Sequence, residues 1–252
     1  MKNLTIGTWN IKNSYLLTER NDEKVNAIIE LLQENQIHIL GLQEVNPILV
    51  KKIEDRLQKM NSNYSVTSTY KKGINPIRNL RVEYNLIISN LPHYHSKQSD
   101  LPSFPTKVDE FKDITSIRSR DVTHQRFIIG YDTLPFYNTH LDYRDNKLNC
   151  DQLNTIYAHL IREMIADQNM NSILVGNLNK EPDSDNMQYF SEILEAIHLK
   201  IVENPKPTYK NDPKIVDYII VPDSYIIDSV KCIDKYDEQI STHNPVIAKI
   251  KK

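Results

Sequence analysis

The order of apolar and polar positions divides the chain into short buried strands and one-sided helices. Residues 3–9 alternate weakly and carry β-formers; a polar segment through Asp22 then gives way to Val25, Ile28, Ile29 and Leu32, which mark one face of a helix. Residues 37–42 read as a buried strand that stops at Gln43-Glu44. Asn46-Pro47 supplies an N-cap with proline at the first helical position, so a helix starts there and turns Leu49, Ile53 and Leu57 inward until about Met60. The middle third is mostly sheet and loop, with strand-like pieces at 64–70, 84–89, 126–131 and 136–140 between segments rich in Pro, Asn, Ser and charge.

The clearest helix follows, because Leu153, Ile156, Tyr157, Leu160, Ile161 and Met164 recur at helical spacing. It leads into Ile173-Leu174-Val175, a run of strand length that ends at Gly176. A polar loop with Asn177, Asn179, Glu181 and Asp183 comes next, and Ser184 is an N-cap for a helix marked by Met187, Phe190, Leu194 and Ile197. Strands near 216–221, 226–232 and 245–250 close the chain. No Pro/Gly/Ser linker or internal repeat interrupts this order, and the length suits one α/β domain, so residues 1–252 are expected to form a single domain. Periodicity leaves two architectures open: a doubly wound parallel sheet, or two packed sheets with helices outside.

Charge narrows the function little. The 31 Lys+Arg against 33 Asp+Glu give a formal net charge of −2, which neither requires nor excludes a nucleic-acid partner, since local patches matter more than the sum. Cys150 and Cys232 lie far apart without metal-ligand spacing, so they read as free thiols. The start, MKNLTIGTWN, lacks the apolar run of a signal peptide, and no later run has the length of a membrane span. A soluble, cytoplasmic monomer without membrane contact is expected.

Chemistry gathers where polar residues follow apolar runs. In open α/β sheets ligands sit beyond the C-terminal ends of strands, so the loop after Ile173-Leu174-Val175 is a site candidate on geometry alone. Its segment Gly176-Asn177-Leu178-Asn179, with Pro182-Asp183-Ser184, resembles the GDFNxxPxS segment of the endonuclease/exonuclease/phosphatase superfamily, which includes deoxyribonuclease I-like nucleases. Further segments resemble that family in the same order: Thr8-Trp9-Asn10, Leu42-Gln43-Glu44-Val45, Glu83-Tyr84-Asn85, Asn138-Thr139-His140-Leu141-Asp142, Val216-Asp217-Tyr218-Ile219 and Ser241-Thr242-His243-Asn244-Pro245-Val246.

The resemblance implies a four-layer α/β/β/α sandwich with the site at the top of two sheets. It also implies roles. Glu44 is the principal Mg²⁺ ligand, with Mn²⁺ as the alternative ion; a hard cation of this kind takes one or two carboxylates and keeps several waters. Asn10 and His140 grip the scissile phosphate, Asn177 and Asn179 orient water, and Asp217 orients and charge-stabilises His243. Lys71, Lys72, Arg78 and Arg81 are candidates for contacts to a nucleic-acid backbone at the cleft rim.

Three positions depart from the family pattern. Asn177 and Thr242 stand where the family has aspartates, and Asn149 stands where it has an arginine. An amide cannot take a proton from water at ordinary pH, so two function classes are carried forward. One is an Mg²⁺-dependent phosphodiester hydrolase, a nuclease acting on nucleic acid; a phosphatase acting on a small phosphorylated substrate is its variant. The other is an impaired member that binds a phosphorylated ligand or a protein without turnover.

Overall fold

The computed structural model describes residues 3–12, 20–68, 84–103, 120–167 and 171–252. The elements follow in the order β1 (Asn3–Asn10), α1 (Asn21–Glu34), β2 (Ile39–Val45), α2 (Pro47–Lys59), β3 (Ser65–Ser68), β4 (Tyr84–Ser89), β5 (His93–Asp100), β6 (Asp121–Ile129), β7 (Asp132–His140), α3 (Asn146–Asp167), β8 (Ile173–Asn177), α4 (Asp185–Glu195), β9 (Leu199–Ile201), β10 (Asp217–Pro222), β11 (Ile226–Cys232) and β12 (Val246–Lys251). Two six-stranded sheets result, with strand orders β11-β12-β1-β2-β4-β3 and β5-β6-β7-β8-β10-β9.

Each sheet holds one parallel pair at its centre. Strands β1 and β2 are joined by α1, and β7 and β8 by α3, while the other pairings are antiparallel. The parallel registers bring Asn10 beside Gln43 and His140 beside Asn177. Both crossovers therefore deliver their strand ends, with the polar residues they carry, to one edge of each sheet.

Three apolar layers hold the sandwich together. Trp9, Ile28, Leu31, Leu42, Leu49 and Ile53 pack α1 and α2 on the outer face of the first sheet. Ile6, Ile39, Phe136, Val175, Ile219 and Ala248 fill the space between the sheets. Tyr137, Leu153, Ile156, Phe190 and Ile220 seat α3 and α4 on the second sheet. This is the expected α/β/β/α arrangement. Gly41 allows the close approach of the sheets, because a Cβ there would lie 2.6 Å from Val175 Cγ2 and 2.8 Å from Asn138 Oδ1. Asn138 in turn bridges the sheets, donating from Nδ2 to the carbonyls of Leu42 and Leu86 and accepting from Gln43 Nε2 at 2.7 Å.

The caps fall where the pattern put them, with one difference in detail. Asn46 accepts from Leu49 N at 2.6 Å, a cap worth about 1 kcal/mol. Ser184 sits at the N-cap of α4, but its hydroxyl donates to Glu181 O at 2.6 Å instead of accepting from the helix. Strand β5 (HYHSKQSD) is largely exposed, so as a polar edge strand it has no apolar alternation to announce it; three-residue β9 is too short to do so. Among the described residues no helix is long and apolar enough to cross a membrane.

Candidate active site

The end of β1 is fixed from three directions. Trp9 is fully buried, stacks on Tyr236 at 4.8 Å, and donates from its indole to His243 O at 2.9 Å. Ser241 Oγ donates to Asn10 O at 2.6 Å and accepts from His243 N at 3.0 Å. The Thr8-Trp9-Asn10 and Ser241-Thr242-His243 segments, more than two hundred residues apart in sequence, are thereby locked together.

Glu44 reaches the same place through an irregular strand end. The β2/β4 register shifts between Leu42 and Val45, and Glu44 takes a left-handed backbone with φ 55°. Such bulges re-aim a side chain, and a left-handed non-glycine residue points to a local constraint. Glu44 Oε1 accepts from Asn10 Nδ2 at 2.9 Å and lies 3.7 Å from His140 Nε2. Its side chain is 14% exposed, and Oε2 makes no hydrogen bond to the described residues. A carboxylate oxygen left free of hydrogen bonds suits a hard divalent cation, which completes its shell with water and substrate oxygens. Among the described residues no three of His, Cys, Asp and Glu converge as a protein cage, so a metal here would rest on a sparse protein shell.

His140 is buried at the end of β7, with Nδ1 2.7 Å from Arg120 Nη1. A guanidinium only donates, so Nδ1 accepts and the ring proton sits on Nε2, toward Glu44. The next-door Asp142 does not enter this cluster: Arg144 folds back onto its carboxylate and holds it below the usual carboxylate range against the opposing effect of burial.

Asn177 and Asp217 are paired across the β8/β10 ladder and both are fully buried. Asp217 Oδ2 accepts from His243 Nδ1 at 2.8 Å, and its Oδ1 has no hydrogen-bond partner among the described residues. Asn177 Oδ1 accepts from Asn179 N at 3.0 Å, while Asn179 Nδ2 donates to Leu141 O at 2.7 Å. Asn179 is a second left-handed residue, with φ 56°. Thr242 is buried, and its hydroxyl oxygen has no partner among the described residues.

Asn10, Glu44 and His140 thus meet in one chain of contacts, and Asn177, Asn179, Asp217 and His243 in another; the Ser241 and Trp9 bonds join the two. Lys71, Lys72, Arg78, Arg81 and Glu83 lie outside the described residues. Asn149 has a structural use: its amide donates to the carbonyls of Asp142 and Leu178, tying the loops after β7 and β8.

Three neighbours of the site escape a sequence reading. Arg120 follows no apolar period, and Tyr209, whose ring lies 4.9 Å from that of His243, sits in a loop. Lys24 left a signal: it occupies the apolar stripe of α1, four residues before Ile28 and seven before Leu31, where a lysine must find a buried partner.

Known structures share this architecture. A mannosyl-6-phosphatase from Bacteroides thetaiotaomicron superposes with a TM-score of 0.76 at 17% identity, covering 99% of this chain and 100% of the other. The human Nocturnin catalytic domain, with a bound sulfate anion, gives 0.75 at 17% identity over 99% and 93% of the two chains. TDP2 from D. rerio, complexed with a single-strand DNA product, gives 0.69 at 14% identity over 100% of both. No curated protein matches the chain in sequence. A model of the Endonuclease/Exonuclease/phosphatase family matches residues 7–238, nearly the whole chain, and the protein therefore belongs to that family.

Proposed function

We propose that the protein is a divalent-metal-dependent phosphodiester hydrolase acting on nucleic acid, working as a single domain. The supporting observation is the gathering of Asn10, Glu44, His140, Asn177, Asn179, Asp217 and His243 at one edge of the two sheets. Enzymes of this family generally use divalent metal ions. Glu44 would hold the ion, Mg²⁺ or Mn²⁺, and when bound it supplies positive charge to a phosphoryl oxygen. The chain's own groups do the rest. The Asn10 amide and the His140 Nε2 proton are donors for phosphate oxygens, and His243, oriented through Nδ1 by Asp217, stabilises charge that develops on the phosphoryl group. Asn177 and Asn179 orient the attacking water; being amides, they do not remove its proton.

Structures of the same fold offer both substrate classes. The single-strand DNA product of the D. rerio protein supports nucleic acid, and the mannosyl-6-phosphatase supports a small phosphomonoester as the variant. The neutral Asn177 and Thr242 favour the second reading, a member that binds a phosphorylated ligand without turning it over.

A turnover assay with Mg²⁺ or Mn²⁺ against DNA, RNA, a generic phosphodiester and a sugar phosphate separates these, with His243→Ala as control. Cleavage of an oligonucleotide that His243→Ala abolishes supports the hydrolase. Retained binding with no turnover on any substrate supports the binder. For the nucleic-acid partner, the fourfold alanine variant of Lys71, Lys72, Arg78 and Arg81 should lower the slope of log K against log salt by about 0.7–0.9 for each phosphate that is no longer neutralised. An unchanged slope puts the nucleic acid elsewhere.

A further inference from the structure

The first turn of α1 carries a buried cation that the proposed chemistry does not use. Lys24 is 5% exposed, and its Nζ donates to Ile11 O at 2.8 Å and to Lys12 O. These are the two carbonyls that follow Asn10. Among the described residues Lys24 forms no ion pair; Glu44 acts on it only through space, and burial lowers the ammonium to about 8 from its ordinary value of 10.5. A lysine buried without a carboxylate contact is uncommon, because desolvating the charge is costly unless strong acceptors replace water.

The acceptors it finds belong to a constrained turn. Lys12 is left-handed, with φ 41°, and its N–H donates to Asn10 Oδ1 at 2.9 Å. Ile11 N donates to Gln43 O at 3.1 Å. Two successive carbonyls therefore converge on one point, which sets their oxygens against each other unless a cation lies between them. Closing the turn fixes Asn10 Oδ1 on Lys12 N, and the same carboxamide then offers Nδ2 to Glu44.

We propose that Lys24 is a positioning residue: by clamping the carbonyls of Ile11 and Lys12 it holds the turn that aims the Asn10 carboxamide at Glu44 and at the substrate phosphate. The role of the aimed amide rests on the hydrolase reading above; the clamp itself does not. β1 ends at Asn10, and although Ile11 N still bonds Gln43 O, Lys12 turns into the left-handed region, so the turn that holds the Asn10 carboxamide is not fixed by the strand alone.

The test reads the clamp and the chemistry separately. In metal-free protein, NMR should show the Asn10 side-chain amide protected from solvent exchange, and Lys24→Met should remove that protection while the Trp9 indole resonance, bonded to His243 O, reports an intact fold. Lys24→Arg should restore it in part. With substrate, Lys24→Met should lower kcat/KM by roughly 10²-fold, the cost of misplacing a group by about an ångström, and should add little in an Asn10→Ala background. An Asn10 amide unchanged in Lys24→Met overturns the proposal whatever the activity. Should that variant not fold, the unmodified protein decides: a slowly exchanging Lys24 ammonium signal supports the clamp, and one lost to rapid solvent exchange overturns it. A wild type inactive on every phosphoester defeats the hydrolase reading and leaves the NMR result to judge the clamp.

Discussion

Asn177 Nδ2 lies 3.2 Å from His243 Nδ1, the nitrogen that also lies 2.8 Å from Asp217 Oδ2. The carboxylate of Asp217 accepts, so Nδ1 carries the proton, and the Asn177 amide nitrogen faces it donor to donor. Asn177 Oδ1 is already engaged by Asn179 N–H. The amide therefore turns no acceptor toward His243, at a position where the family pattern has a carboxylate. Asn177→Asp should raise kcat by roughly 10²-fold, the lower end of what a positioned acid or base supplies, with little change in KM. Steady-state kinetics check this, with circular dichroism to confirm the fold; an unchanged or lower kcat means that position 177 serves another purpose.

Glu44 is the second decisive position. Its Oε1 accepts from Asn10, its Oε2 makes no hydrogen bond to the described residues, and no cluster of three ligating side chains gathers among those residues, so the proposed metal interaction rests on this one side chain. Weak Mg²⁺ binding without substrate is expected, and Glu44→Ala should abolish it. Isothermal calorimetry checks this directly: equal heats and affinity in wild type and variant would remove Glu44 from the role.

Much of this arrangement was legible because the site residues close apolar runs. Glu44 stands one residue before the end of a buried strand, His140 ends another and Asn177 a third, and in each case the pattern switches from apolar to polar within a residue or two. The helices declared themselves through their stripes and, for α2, through Asn46-Pro47. What was not legible depends on contacts between remote segments. Nothing near Arg120 says that it meets His140, and no spacing tells that Ser241 bonds the carbonyl of Asn10 across the whole chain. Strand β5 gains its place from pairing with β6, not from its own composition, which is polar on both faces.

Gly176 offers a test of the strand that carries Asn177. Its φ of 150° is a conformation L-residues rarely adopt, and a Cβ there would lie 2.1 Å from the carbonyl oxygen of Thr139 in the neighbouring strand. The obstacle is backbone, which cannot rotate away as a side chain would. Gly176→Ala should cost about 3 kcal/mol or more, combining backbone strain with displacement of β7 from β8. Urea denaturation measures this, and a loss under about 1 kcal/mol would mean that the ladder at Thr139 yields easily.

Asp121 should give the protein a pH dependence of unusual sign for a carboxylate. It is buried beside the site-bearing end of β7, where Oδ1 accepts from Asn85 Nδ2 and Oδ2 from Gln98 Nε2, both at 2.7 Å. Burial outweighs these bonds and pushes the carboxyl up from 3.8 to about 6. A folded-state value above the unfolded one means that the native state holds the proton more tightly. The contribution is therefore fully present below pH 3.8, declines as pH rises through 6, and amounts to about 3 kcal/mol across that window. Asp121→Asn removes the charge and keeps an acceptor for Asn85, while Gln98 can turn its amide to offer oxygen to the new donor. Unfolding free energies measured in urea at about pH 4, 5, 6 and 7 cover most of the window, and the variant should gain on the wild type by about 2 kcal/mol between the two ends of the series. A difference that stays constant with pH would show that Asp121 titrates as an ordinary exposed carboxylate, with its two amide partners and nearby Arg120 offsetting the cost of burial.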